Sequence, residues 1–105
     1  MNIPKSIKVG GTTYTVNITD RLALGLDYGA EILYTEQEIN VRPGGPEHME
    51  AAFLHEMVHA IMDHMGLKEH DEREVEGFAR ALHMIIKDNP GLFAEAGEQG
   101  GPDNE

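Results

Sequence analysis

The sequence contains no cysteine, and this absence excludes several kinds of function. It rules out a disulfide scaffold, a thiolate metal site, a cysteine nucleophile and a thiol redox role. Basic residues are also few, since 8 Lys and Arg stand against 19 Asp and Glu, which gives a net charge of −11. Because the pI is only about 4.8, we expect neither duplex nucleic acid nor an anionic membrane as a partner.

Long apolar runs are absent as well, and the opening residues contain no apolar segment typical of a secretory signal. We therefore expect no membrane span, no signal and a cytoplasmic location. The 105 residues are 40% hydrophobic and 26% charged, a mixture that predicts one folded domain, over residues 1–93. Residues 94–105 are acidic, rich in glycine and free of aromatic residues, which predicts a disordered tail.

The first third of the chain predicts β-strands. Ser6–Val9 and Thr12–Ile18 alternate in polarity around two glycines, which is typical of a hairpin. Residues 28–34 and Glu38–Val41 predict a second antiparallel pair. Residues 20–27 fit either a short helical turn or an irregular crossing.

Two helices are predicted after the Pro- and Gly-rich break at residues 42–46, over residues 46–65 and 71–87. Pro46 suits the first turn of the first helix, and Gly66 suits its end. Apolar residues recur at spacings of three and four, and the predicted inner stripes are Ala51, Leu54, Val58, Ile61, Met62 and Met65, then Val75, Phe78, Ala79, Leu82, Ile85 and Ile86. The fold class predicted is α+β, with a small antiparallel sheet packed against two helices.

The first helix carries the sequence His55-Glu56-Met57-Val58-His59. Histidines four residues apart are separated by about 40° around a helix, so both imidazoles can reach one ion. Neutral imidazole is a good zinc ligand. Glu56 lies about 100° further round the helix, where it can act as a general base on water activated by the ion.

A third ligand has to come from outside this helix. The candidates near the start of the second helix are Glu69, His70, Asp71, Glu72, Glu74 and Glu76. Glu72 lies at the inner edge of that helix near its N-terminus and fits best. Glu76 follows one turn later, where its carboxylate could accept an N–H from a ligating histidine. Glu74, Glu76 and His70 stay open as alternative ligands.

Together with the segment Glu72-Arg73-Glu74-Val75-Glu76-Gly77-Phe78-Ala79-Arg80-Ala81-Leu82, this motif resembles the ImmA/IrrE family of small zincin-type metallopeptidases. In that family an HExxH helix is followed by an E-x-x-A-N-x-F-A-x-x-L helix. The resemblance covers about residues 50–90 and, more loosely, the strands before them. Val75 and Glu76 depart from the signature, and the linker between His59 and Glu72 is short.

The resemblance implies a zinc-dependent, gluzincin-type peptidase. It implies His55, His59 and Glu72 as zinc ligands and Glu56 as the general base. The family is common in phages, mobile elements and bacterial stress regulation. Some members of that family carry a DNA-binding domain, and from the acidic charge we expect none here.

In zincin architectures an edge strand beside the metal pairs with the extended substrate, and we expect Glu38–Val41 to be that strand.

A second interpretation is a catalytically weak or inactive zinc-binding module that acts through protein contacts. A third is a helical adaptor that binds no metal. A scaffold this small lacks the extra lobe that builds deep subsites, which favours one dedicated protein target.

Overall fold

The computed structural model describes residues 1–25 and 28–93, and they form an α+β fold. The predicted tail, residues 94–105, lies outside the described residues. Within the described ranges, no helix is both long and apolar enough to cross a membrane. The elements are β1 (Ser6–Val9), β2 (Thr12–Ile18), β3 (Ala30–Leu33), β4 (Glu38–Val41), α1 (Pro46–His64) and α2 (Glu72–Asp88).

Both predicted antiparallel pairs are present in one four-stranded sheet, which has the order β1-β2-β4-β3. Gly10 and Gly11 connect β1 to β2 with φ angles of 58° and 92°. Positive φ at both central residues is what a two-residue hairpin turn of this hand requires. Residues 20–25, in the segment that fitted two interpretations, form an irregular crossing that contains a turn closed by the N–H of Gly25 and the carbonyl of Leu22.

The sheet is mostly antiparallel, as predicted, and its one parallel pair is β2 with β4. One expectation about the strands was wrong. Glu38–Val41 is not an edge strand, because the chain crosses to the far edge, forms β3 there and returns to place β4 between β2 and β3. Ile39, Asn40 and Val41 are all buried, so β4 is covered on both faces and lacks the alternation of a strand with one solvated face.

The two helices occupy nearly the predicted residues and are closed by recognisable end motifs. At the end of α1, Gly66 N–H donates to the carbonyl of Asp63 and Leu67 N–H to that of Met62. Gly66 has a φ of 85°, as this glycine-terminated motif requires. Asp71 caps α2 by accepting the N–H of Arg73.

The helix α1 packs on the sheet, and α2 packs on α1 rather than on the described strands. Residues from the sheet and both helices share one core. Its buried members are Tyr14, Val16, Ala30, Ile39, Val41, Phe53, Leu54, Val58, Ala60, Val75 and Ala79. Because α1 is covered on two sides, its buried residues spread around the helix instead of following a single stripe.

The predicted inner stripe of α2 is too wide. Val75 and Ala79 are buried, but Phe78 is 61% exposed and Ile85 is 38% exposed. A helix that touches only one other helix covers a narrow seam, so apolar residues at the sides of the stripe stay in solvent. For α1, Met65 lies just beyond the last helical residue and is likewise exposed.

A row of polar side chains anchors the segment that crosses from β2 to β3. Asn17 Nδ2 donates to Asn40 Oδ1, and Asn40 Nδ2 donates to Glu31 Oε2. Glu31 also accepts the backbone N–H groups of Ala23 and Leu24 at 3.0 and 2.9 Å. Glu31 is buried, so these bonds replace its lost hydration and hold the crossing segment against the sheet.

The same contacts determine the charge of Glu31. Burial would raise the pKa of this carboxyl, but the hydrogen bonds from Asn40, Ala23 and Leu24, with the nearby positive Arg42, bring it below its ordinary value. Glu31 is therefore ionised at neutral pH. Arg42 in addition donates to the carbonyls of Asp20, Gly25 and Tyr28, so it closes the segment from outside.

We expect Glu31→Gln to lower the free energy of unfolding by about 1–3 kcal/mol at pH 7, because the new amide presents a donor to groups that already donate. Urea unfolding measures this, with exposed Glu36→Gln as the control. The pKa of Glu31 is lower in the folded than in the unfolded chain. The difference between wild type and variant should therefore be full above the unfolded pKa and shrink as the pH falls through the folded one. A loss equal to that of Glu36→Gln would contradict this role.

Candidate metal centre

Two histidines on one side of α1 converge with one glutamate at the start of α2. His55 Nε2 lies 3.0 Å from Glu72 Oε1, and His59 Nε2 lies 3.1 Å from Glu72 Oε2. One potential ligand atom from each of the three residues lies within 4.8 Å of the other two. The short loop after α1 turns the chain back at once, so a linker of this length brings Glu72 over the histidine pair.

The donor set fits zinc by its chemistry. Two imidazoles and one carboxylate are ligands that zinc accepts, and three protein ligands leave a fourth position for water or substrate. The side chains of His55 and His59 are 22% and 13% exposed, whereas that of Glu72 is 66% exposed. The histidines therefore form the inner wall of the group and the glutamate its solvent side.

Glu76 lies where its carboxylate was predicted to orient a histidine. Its Oε1 lies 2.9 Å from Nδ1 of His55, and its Oε2 accepts from Nε of Arg80 at 2.8 Å. Arg80, and then His55, hold the pKa of Glu76 below its ordinary value. An ionised Glu76 can accept a hydrogen bond from Nδ1–H of His55, so Nε2, which lies 3.0 Å from Glu72 Oε1, is the nitrogen available to an ion.

The other predicted alternatives lie elsewhere. Asp71 caps α2, and Glu69 and Glu74 are exposed. His70 lies against the outer nitrogen of His59 rather than beside Glu72, with the two Nδ1 atoms 2.7 Å apart. Among the described residues, the only group able to hold a metal is the one completed by Glu72.

The two histidines of the group differ in the direction of their pKa shifts. Burial would lower the pKa of His55, but hydrogen bonding to Glu76 and the negative charges of Glu56 and Glu72 raise it. Burial prevails at His59 and lowers its pKa, although Glu72 opposes this. A histidine of lowered pKa is neutral at pH 7, the state in which imidazole binds a metal.

Glu56 follows His55 on α1 but points inward and is 8% exposed. Burial raises the pKa of its carboxyl to about 7, an effect that His55 opposes and the carboxylates of Glu72 and Glu31 reinforce. A group of this pKa can both take up and release a proton near neutral pH. Glu56, the residue predicted as general base, lines the same cleft as the three donors and is not one of them.

An open cleft of about 510 Å³ runs between the donor group and β3. Its walls include Leu24, Tyr28, Ile32 and Tyr34, none of which stood out in the sequence. Burial, with the nearby charges of Asp63, Glu56 and Glu72, raises the pKa of Tyr34 to about 12. Its phenol therefore stays protonated at neutral pH and can donate a hydrogen bond.

The remaining histidines lie outside the donor group. His48 lines a second open cleft, on the other side of His55, together with Arg80. His83 pairs with Glu50 at 3.0 Å, which joins the two helices away from the site. His64 is exposed and lies against the turn at Gly10.

Comparisons of the chain with protein-family models, with curated proteins and with solved structures found no match. The resemblance to the ImmA/IrrE metallopeptidases therefore stays a prediction, carried by about residues 50–90. What the centre can do is inferred from its own geometry and chemistry.

Proposed function

We propose that the protein is a zinc-dependent peptidase that cleaves a peptide bond in a specific protein target. The observation that carries the proposal is the convergence of His55, His59 and Glu72 within 4.8 Å in a cleft that the buried Glu56 also lines. Zinc donors and a carboxyl of near-neutral pKa, side by side in an open cleft, are what metal-assisted hydrolysis requires.

Zinc, when bound, would act as a Lewis acid on the scissile carbonyl and would make water a better nucleophile. Glu56 would accept a proton from the attacking water as the carbon–oxygen bond forms. It would then deliver that proton to the amine nitrogen as the carbon–nitrogen bond breaks. Its pKa of about 7 supports both transfers.

Among the described strands β3 is an edge strand, and its outer edge supports binding of an extended peptide. Ala30, Glu31 and Ile32 of this strand border the same cleft as His55 and Glu56. A peptide added to this edge would lie along the donor group, held by backbone hydrogen bonds. We propose this edge in place of β4, which is an inner strand. The net charge of −11 supports a protein partner over nucleic acid or an anionic membrane.

Tyr34 lines the same cleft as the donor group, and we expect its hydroxyl to donate a hydrogen bond to the oxygen on which charge develops. Because its phenol stays protonated, we expect Tyr34→Phe to lower kcat by about tenfold or more. This fall in kcat is smaller than the one that follows removal of a full oxyanion-hole donor. Zinc affinity should not change. Single-turnover cleavage of an identified peptide measures the effect, and Tyr28→Phe in the same cleft is the control. Equal rates for both variants would remove Tyr34 from the chemistry.

A second function, a zinc-holding module that acts by contact, is favoured by a specific observation. Phe78 and Ile85 lie seven residues apart, on one side of α2, and are 61% and 38% exposed. Exposed apolar residues on one helical face are typical of protein contacts. A module of this kind would bind zinc and a partner without hydrolysis.

The experiment is a metal analysis followed by a cleavage assay. Protein purified without a His-tag is expected to contain one zinc per chain by plasma emission spectrometry. The zinc-loaded protein is then incubated with a denatured proteome, and new N-termini are identified by mass spectrometry. New termini that disappear with a chelator and return with zinc would support the peptidase. Stoichiometric zinc without new termini would favour the contact module.

A further inference from the structure

A third histidine, His70, contacts His59 on the side of the ring that faces away from Glu72. Nδ1 of His70 lies 2.7 Å from Nδ1 of His59, and Nε2 of His70 lies 2.7 Å from the carbonyl oxygen of Leu67. The rings of His59 and His70 are inclined by 25°, with centroids 5.0 Å apart. The distance between the two centroids nearly equals the Nδ1–Nδ1 distance plus the centroid-to-nitrogen distance of each ring. The two nitrogens therefore lie almost on the line that joins the ring centres. The rings therefore meet edge to edge, as an N–H···N hydrogen bond requires.

The direction of this hydrogen bond follows from the carbonyl of Leu67. A carbonyl oxygen only accepts, so Nε2 of His70 carries a proton and donates it to Leu67. In a neutral imidazole the other nitrogen is then an acceptor, and Nδ1 of His70 can accept the N–H of His59 Nδ1. Glu72 Oε2, 3.1 Å from Nε2 of His59, can only accept, so without an ion this contact needs a proton on Nε2. When zinc takes the place of that proton, His59 keeps its proton on Nδ1 and binds the ion through an unprotonated Nε2.

The loop holds His70 firmly between two helix ends. On one side the motif at Gly66 ends α1 and places Leu67, whose N–H donates to the carbonyl of Met62 at 3.0 Å. On the other side the next residue, Asp71, caps α2 through the N–H of Arg73 at 2.8 Å. His70 is thus fixed by backbone geometry as well as by its own two hydrogen bonds.

We propose that His70 is a positioning residue of the metal centre. Its Nδ1 accepts a hydrogen bond from Nδ1–H of His59, and this bond fixes the tautomer and ring orientation in which His59 binds zinc. The outer nitrogen of a metal-binding histidine usually meets a carboxylate, a backbone carbonyl or water. Glu76 serves His55 in this way, and His70 with the Leu67 carbonyl behind it serves His59. The inference rests on the zinc site of the proposed function but requires no hydrolysis.

Zinc affinity tests the role, measured by competition with a chelator after circular dichroism shows that each variant is folded. His70→Ala is expected to bind zinc about 10–100-fold more weakly than wild type. His70→Asn offers an acceptor oxygen near the place of Nδ1 and should recover most of that loss. Glu69→Ala, an exposed neighbour in the same loop, is the control and should stay close to wild type. His70→Ala binding as tightly as the control, or His70→Asn binding as weakly as His70→Ala, would overturn the proposal.

The tautomers give a second readout that affinity alone cannot supply. In the zinc-loaded protein, long-range nitrogen–proton NMR should show a proton on Nδ1 of His59 and, for His70, a proton on Nε2 only. A proton on Nδ1 of His70 would reverse the bond and overturn the inference. Zinc binding without cleavage in the wild type would reject the peptidase and leave this inference standing. A wild type that binds no zinc would reject both.

Discussion

Glu56→Gln is expected to retain zinc and to lose hydrolysis by about 10²–10⁴-fold, the usual contribution of a positioned general base. Glutamine has nearly the shape of glutamate but cannot take a proton from water. Glu56 is buried and is not one of the three donors, so its replacement leaves the ligand atoms in place. The measurement is a single-turnover rate on an identified peptide, with zinc content determined on the same sample.

Glu74→Gln is the matched control, because it removes a carboxylate from an exposed position on α2 outside the donor group. It should change neither rate nor zinc content. Full activity in Glu56→Gln would show that another group takes the proton. Loss of zinc together with activity would show that Glu56 supports the metal rather than the chemistry.

His59→Ala and Glu72→Ala are expected to weaken zinc binding by well over 100-fold, more than the about 10–100-fold loss typical of groups that only orient a ligand. Both remove one of the three donors that converge within 4.8 Å. Glu72→Asp should do intermediate damage, because its carboxylate is withdrawn by one methylene from an ion that tolerates little change in bond length. Glu76→Gln should lose about 10–100-fold, as it only orients His55. Competition with a zinc chelator measures all four.

Glu74→Ala is the control for this series, since it lies two residues from Glu72 on an exposed part of α2. If Glu74→Ala released zinc and Glu72→Ala did not, the placement of α2 over the histidine pair would be wrong. If no variant changed zinc content relative to wild type, the metal site itself would be rejected.

Local features of the fold could be predicted from the sequence because they depend on neighbouring residues. The two glycines at positions 10 and 11 mark a hairpin by the φ angles that they adopt. Gly66 marks the end of α1 for the same reason. The side of α1 on which His55 and His59 lie follows from helical spacing alone.

Features that depend on which elements meet could not be predicted in this way. Nothing local to Glu38–Val41 shows that the chain will insert this strand between β2 and β3. Phe78 and Val75 occupy one apolar stripe in the sequence, but only the helix partner decides that Val75 is buried and Phe78 is not. Tyr34 follows β3 and lines the cleft beside the donor group, and no rule of sequence spacing predicts that position.

The identity of the third ligand could be predicted only in part, because it depends both on helical spacing and on how the loop before α2 folds. Helical phase favours Glu72 over Glu74, because residues two apart lie on different sides of a helix. The phase alone leaves His70 open, because His70 precedes the helix. The loop geometry separates them, since it turns His70 to the outer nitrogen of His59 and Glu72 to the inner one.

Anomalous scattering at the zinc edge, from crystals of the untagged protein, would locate a bound zinc ion relative to His55, His59 and Glu72. We expect one zinc peak per chain, with His55 Nε2, His59 Nε2 and a Glu72 carboxylate oxygen at about 2.0–2.2 Å. We also expect Nδ1 of His55 to be hydrogen-bonded to Glu76, and Nδ1 of His59 to be hydrogen-bonded to His70, as in the present structure. A peak elsewhere, such as beside Glu50 and His83, or no peak after zinc loading, would contradict the account.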